Sequence, residues 1–317
     1  MSTRTALTSR RRNTRPLHTF SIVARDPDTG DMGVAVQSHW FSVGSLCPWA
    51  RAGVGAIATQ SFVNVSFGVR GLELLEQGRT AEATVQELVQ ADEGREVRQL
   101  AVVDSHGYAA AHTGSQCVPE AGHLVGDGYS VQANMMLSDR VWPAMARAFE
   151  ESSGPLPERL VAALQAAQDA GGDIRGKQSA ALLVVRAQST GKVWEDRAVD
   201  LRVEDHPEPI GELRRLLCVH RAYEYMNQGD LALEMDDVDG ALEAYRAAET
   251  LFPDNREMRY WHAVSLANVG RIEDALPIFR DIFEEDRNWL IMTGRLPAVG
   301  VLDVKSEDLE RILAQGT

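Results

Sequence analysis

Lysine is almost absent from this chain of 317 residues. Only Lys177, Lys192 and Lys305 occur, among 32 basic residues in total. Cysteine is scarce too. Cys47, Cys117 and Cys218 form no CxxC pair, and an odd, widely spaced set makes a poor disulfide framework. A reducing cytoplasm fits that usage best. No apolar run approaches the roughly 18 residues that span a bilayer, so no membrane partner is expected. No HExxH and no GxSxG is present, which removes the common zincin and nucleophile-elbow signatures. The basic excess that nucleic-acid binding requires is missing as well: the net charge is −14.

The charge that is present is uneven. The first sixteen residues hold five arginines and no acid. No apolar h-region follows, which argues against a secretory signal and for a disordered basic tail over 1–16. Residues 205–317 carry 23 acids against 12 bases, a net of −11.

Period-two patterning opens at Thr19. Phe20, Ile22 and Ala24 share one face; Thr19, Ser21 and Val23 share the other. "DPDTGD" is turn chemistry, and "MGVAVQS" follows as the second arm of a hairpin. Further strands are predicted over 53–60, 98–104, 108–114, 129–136, 179–187 and 194–205. Helical periodicity marks 68–78, 80–92, about 138–151 and 156–170. Helices grouped in pairs between antiparallel hairpins do not make a doubly wound parallel sheet. They suit two stacked sheets with a helix pair on each outer side. The expected class is α+β, a four-layer αββα arrangement over 17–205.

"HPEPIGELRRLL" marks a boundary at 205/206, and an all-α domain is expected over 206–317. "GALEAYRAAETLFPDN" aligns with "DALPIFRDIFEEDRN" at an offset of 34, the tetratricopeptide period. Tyr225, Gly229, Ala241, Tyr245, Ala248 and Pro253 occupy the repeat's positions. Arg259, Ala263, Ala275, Phe279 and Ile282 repeat them, with Arg287 in place of the proline. Two repeats are fewer than a self-sufficient solenoid needs. The tail is therefore expected to serve oligomerisation, most simply a homodimer, or to dock a protein partner.

A threonine that opens a strand is ordinarily just a β-former. It becomes a nucleophile only if its own α-amine is freed to act as base. Such an amine, with a pKa of about 8, works near neutral pH. His39, His106, His112 and His123 lack the spacing of a metal site, and no metal or cofactor is expected. Cys47 and Cys117 stand outside any Cys-His signature and read as buried thiols.

Taken together, "HTFSIVARDPDTGDMGVAVQS", "PWARAGVGAIATQ", "GVRGLELLEQG", "RQLAVVD", "GGDIRGKQSAALLVV" and "VDLRVEDHPEPIGELRRLL" resemble one bacterial family. That family is the domain of unknown function 1028, described as N-terminal-nucleophile (Ntn) hydrolase-like and similar in fold to proteasome β subunits. The resemblance spans about 17–217. It implies Thr19 as nucleophile and gathers Ser38, Gln60, Asp173 and Ser179 as catalytic candidates. His39, Ser61, Asn64, Asn134, Arg175, Lys177 and Gln178 are the implied substrate-binding residues. For Asn64 and Asn134 a structural Asx turn stands beside the binding role. Met1 lies eighteen residues upstream of Thr19, so the mechanism requires cleavage of His18–Thr19 or a later start. The implied activity is hydrolysis of an amide or peptide bond in a small molecule or peptide. A non-catalytic scaffold with a partner-docking tail is the alternative.

Overall fold

The computed structural model describes residues 19–235, 237–253 and 255–316. The basic stretch 1–16 lies outside the described residues. Strands β1 (Thr19–Arg25) and β2 (Met32–Ser38) form the hairpin read from the sequence. Its turn is held by Asp26, whose Oδ1 accepts from the backbone N–H of Asp28 and of Thr29. Gly30 there has φ +79°, a conformation that side chains with a Cβ rarely adopt. β3 (Pro48–Arg51) and β4 (Gly55–Ser61) follow, then helices α1 (Ser66–Glu76) and α2 (Ala81–Gln90). Thr80 caps α2 by accepting from the Ala83 N–H at 3.2 Å.

β5 (Arg98–Asp104), β6 (Ala109–Thr113), β7 (Gly122–Gly126) and β8 (Tyr129–Ala133) come next. They precede α3 (Val141–Glu151) and α4 (Leu156–Asp169). β9 (Ser179–Val185) and β10 (Arg197–Val203) complete two antiparallel sheets. The larger runs β10-β9-β2-β1-β8-β7 and the smaller β3-β4-β5-β6.

The faces follow from alternation. Phe20, Ile22 and Ala24 enter an apolar cluster with Val141, Met145 and Phe149 of α3 and Leu160 and Leu164 of α4. On the opposite face, Val23, Val34, Val36 and Ala181 of the larger sheet share a cluster with Ala56, Ala58, Ala101 and Val103 of the smaller. Ile57, Leu100 and Val102 pack on Phe67, Leu72, Leu75 and Leu88 of α1 and α2. The chain is thus mixed α/β with antiparallel sheets.

Two strands escape the sequence reading, and others are shorter than read: β8 stops at Ala133 instead of 136, β9 at Val185 instead of 187, and β10 spans 197–203 instead of 194–205. β3 begins on Pro48 and lies at a sheet edge, where a missing N–H is tolerated. β7, "GHLVG", is short and bounded by glycines, so it shows no period; only its pairing with β8 makes it a strand. In 194–205 a single helical turn, Val193–Asp196, precedes β10. The Asp196 carboxylate accepts from Ser189 and Thr190 and closes that turn.

The compact units part between Leu217 and Cys218, within α5 (Pro209–Glu234), against a sequence boundary at 205/206. The second unit is helical: α6 (Val238–Leu251), α7 (Arg256–Asn268), α8 (Ile272–Glu285), α9 (Arg287–Thr293) and α10 (Ser306–Leu313). Ala241, Tyr245, Ala248, Ala263, Ala275, Phe279 and Ile282 are all fully buried in it. A Cβ added to Gly229 would meet the Tyr245 ring at 2.5 Å, so the small residue is what admits the aromatic. Among the described residues, no helix is long and apolar enough to cross a membrane.

Candidate active site

Thr19 opens β1 opposite Ser38, and Ser38 lies opposite Ser179 on β9. Asn134, just past β8, donates its backbone N–H to the Thr19 carbonyl at 3.1 Å. Asn134, Thr19, Ser38 and Ser179 therefore lie side by side across the end of the larger sheet. Period two puts Thr19 on the face of Val23, toward the smaller sheet. All four are fully buried. Thr19 Oγ1 donates to Ser38 Oγ at 3.2 Å. Ser179 Oγ donates to the Trp40 carbonyl and accepts from the Val43 N–H, so it pins the chain that leaves β2.

The loop between α4 and β9 closes over this end. Gly171, Gly172 and Gly176 take φ of +120°, +59° and +111°, which stops the helix and turns the chain sharply. Asp173 is the buried anchor, 3% exposed. Its Oδ2 accepts from the His39 N–H at 3.2 Å and from Arg175 Nη2 at 2.7 Å. Its Oδ1 accepts from the Arg175 N–H and Nε. The Gln178 N–H reaches the Ser38 carbonyl at 3.2 Å. His39 Nδ1 is buried without a hydrogen-bond partner among the described residues, and a Cβ on Gly176 would sit 3.7 Å from it.

A second layer joins the sheets. Gln60 Nε2 donates to the Thr19 carbonyl at 3.2 Å and to Gln99 Oε1 at 2.7 Å. Asn134 Nδ2 does the same, at 3.4 and 2.9 Å. Ser21 Oγ donates to Gln60 Oε1 at 2.7 Å and accepts from Gln132 Nε2 at 2.6 Å. Gln60, Gln99, Gln132 and Asn134 are all 0% exposed. Buried amides are costly unless satisfied, and here each finds partners.

The structure thus brings together Thr19, Ser38, His39, Gln60, Asn134, Asp173, Arg175 and Ser179. Others stand apart. Asn64 makes the Asx turn: its Oδ1 accepts from Ser66 N–H and Oγ, while its Nδ2 holds Asp92. Lys177 pairs with Glu208, and Gln178 donates to Asp205, both on the exposed segment ahead of α5. Ser61 ends β4 at φ +66°. Among the described residues, the non-glycine residues with positive φ are Ser42, Ser61, Glu120 and Met135, and three of them end or closely follow β2, β4 and β8. Such backbones cost about 1 to 3 kcal/mol each and gather at functional ends of folds.

Gln99, Gln132 and Ser21 escaped the sequence reading. The available signal was a polar residue at inward-facing positions of strands that are otherwise apolar. Burial pushes the Cys47 thiol up to about 12. At neutral pH it is a thiol, 3.8 Å from Gln60 Oε1, and not a nucleophile. Among the described residues, no group of three or more His, Cys, Asp or Glu is placed to hold a metal ion.

The fold defines a mixed α/β chain with a polar strand end, and comparison with known proteins agrees on its kin. Residues 19–213 match the model of a family of unknown function, DUF1028, and the chain belongs to that family. A crystal structure of protein SPO2555 from Silicibacter pomeroyi, of the same family, is similar at 35% identity with a TM-score of 0.57. The match covers 63% of this chain and 88% of that one. No curated protein matches the chain.

Proposed function

We propose that the first unit is a four-layer αββα sandwich of the Ntn-hydrolase kind and that the protein hydrolyses an amide bond with Thr19 as nucleophile. The observation that carries this reading is the setting of Thr19. It is the first residue of β1, it faces the space between the sheets, and its hydroxyl points at Ser38. The shared apolar cluster between the sheets and the helix pair on each outer face support the layering.

The chemistry starts with cleavage of His18–Thr19, which frees the α-amine. The amine takes the Oγ1 proton as Oγ1 attacks the substrate carbonyl, and a C–O bond forms. The ammonium returns that proton to the leaving nitrogen as the C–N bond breaks, leaving an acyl ester on Thr19. The amine then activates water, which releases the acid. Ser38 Oγ, 3.2 Å from Oγ1, orients the hydroxyl. Asp173 and Arg175 hold the loop that walls this end, and His39 Nδ1 is available to a substrate acceptor or donor. The substrate class is a small amide or a peptide.

The helical unit is proposed as a tetratricopeptide-like module for homodimerisation or for docking a protein partner. The 34-residue offset and the buried Ala241, Tyr245, Ala275 and Phe279 support it. One observation favours the second reading, a non-catalytic scaffold: Thr19 is fully buried and carries a peptide bond to His18.

The deciding experiment is intact mass followed by turnover. Hydrolysis predicts loss of residues 1–18 and cleavage of an amide substrate. Thr19→Ser retains activity and Thr19→Ala loses it with the fold intact. Protein that begins at Thr19 and turns over equally well as Thr19→Ala would place the nucleophile elsewhere.

A further inference from the structure

The inter-sheet amides point in one direction. Gln99 Nε2 donates to the Ala133 carbonyl at 2.8 Å, the Gly122 carbonyl at 3.2 Å and Thr113 Oγ1 at 2.9 Å. Backbone carbonyls only accept, so this end of the Gln99 side chain must be its NH2. Its Oε1 is then forced to face Gln60 and Asn134. Because that atom only accepts, both neighbours must turn their NH2 groups toward it. Those same NH2 groups reach the Thr19 carbonyl, at 3.2 and 3.4 Å. With the Asn134 backbone N–H at 3.1 Å, three N–H donors converge there. Gln99 does not touch Thr19, yet it holds the Asn134 amide and, together with the Gln132 carbonyl that accepts from Gln60 Nε2 at 3.4 Å, the Gln60 amide in the orientation that faces Thr19.

We propose that Gln99 is the positioning residue for Thr19: its amide orients the Gln60 and Asn134 amides, which clamp the Thr19 carbonyl and so set the direction of Oγ1. The network extends the clamp across both sheets. Thr113 Oγ1 also contacts His123 Nδ1 at 2.8 Å, and Gln60 Oε1 is held by Ser21. The catalytic meaning of the clamp rests on the hydrolase reading; the clamp itself does not. A purely structural network would equally hold the sheets together, so the test must read the Thr19 carbonyl.

Thr19–Phe20 is the sole Thr-Phe pair in the chain. Carbonyl-13C threonine combined with 15N phenylalanine therefore gives one carbonyl–amide correlation, which reports Thr19. In Gln99→Met the amides lose their common acceptor, and the Thr19 carbonyl signal should move upfield as donors leave it. Ser130→Ala removes the hydroxyl that donates to Gln132 Oε1, at the far end of the same network. That variant should leave the signal in place. An unmoved signal in folded Gln99→Met overturns the proposal, as does an equal shift in Ser130→Ala. If Gln99→Met does not fold, wild-type protein carries the test. The side-chain amide protons of Gln60 and Asn134 must then exchange slowly with solvent, and free exchange overturns the clamp.

Turnover separates the two ideas. If protein processed at Thr19 is active, Gln99→Met should lower kcat by about 10- to 100-fold with KM little changed. Full activity in the variant would sink the positioning role and spare the hydrolase reading. An inactive wild type whose carbonyl signal still moves in Gln99→Met would sink the hydrolase reading and leave the clamp.

Discussion

Arg175 closes on Asp173 with its Nη2 2.7 Å from Oδ2, while the Asp173 side chain is wholly shut off from solvent. The carboxylate also accepts the backbone N–H groups of His39 and Arg175. One buried anion therefore ties the residue after β2 to the loop before β9. Arg175 keeps 29% of its side chain exposed, so the cation remains partly hydrated. The ion pair itself contributes little more than its hydrogen bonds, and the penalty arises when its partners are stranded.

Asp173→Ala is expected to destabilise the first unit by about 1 to 3 kcal/mol, because buried N–H groups lose their acceptor. Denaturant midpoints measure it. Arg175→Ala should cost less than Asp173→Ala, since the anion keeps two backbone donors. The reverse order would show that the guanidinium, not the carboxylate, anchors the loop.

Cys47 predicts an alkaline weakness. Its folded thiol titrates at about 12, raised from 9.0 by burial. Below about pH 9 both folded and unfolded states hold the proton, and stability is unaffected. Between about 9 and 12 only the unfolded chain ionises, so stability falls as pH rises, by about 1.4 kcal/mol per pH unit. Cys47→Ala should remove that part of the slope. Thiol alkylation of native protein near pH 8 should mark the exposed Cys218 and leave Cys47 unmodified.

In the helical unit, Ala241→Trp is expected to cost about 1 to 3 kcal/mol by overpacking. Ala241 is fully buried with Tyr245 and Ala248 in one cluster, with no room for an indole. Thermal unfolding followed in the helical unit is the measurement. An unchanged profile would mean that the α6 register differs from the one described.

Much of this was legible in the linear pattern, and the exceptions have physical causes. Alternation in "TFSIVAR" assigned Thr19 and Phe20 to opposite faces, because a strand's period is two whatever it pairs with. The "DPDTGD" turn was legible as well, because Pro, Asp and Gly set a turn through local chemistry. The strand β7 was not legible, since "GHLVG" becomes a strand only when Tyr129–Ala133 pairs with it. Asn64 could be read two ways, and only its contact with Asp92 and Ser66 chose the turn.

The candidate site divides in the same manner. A hydroxyl residue at the head of an alternating strand, and a glycine-broken polar segment from Asp173 to Ser179, are visible without coordinates. That Ser38 stands between Thr19 and Ser179 depends on strands β1, β2 and β9 meeting in one register. That Gln60 and Asn134 converge on one carbonyl, with Gln99 behind them, depends on strands of different sheets being brought together. Those residues lie far apart in the chain. Local propensity acts over a few neighbours and carries no information about which distant amide will satisfy another. The sequence alone determined eight of the ten strands, the faces of the first, and the place of Thr19 at its head. Tertiary packing decided the partners, because a buried amide must find its donor or acceptor wherever the fold brings one.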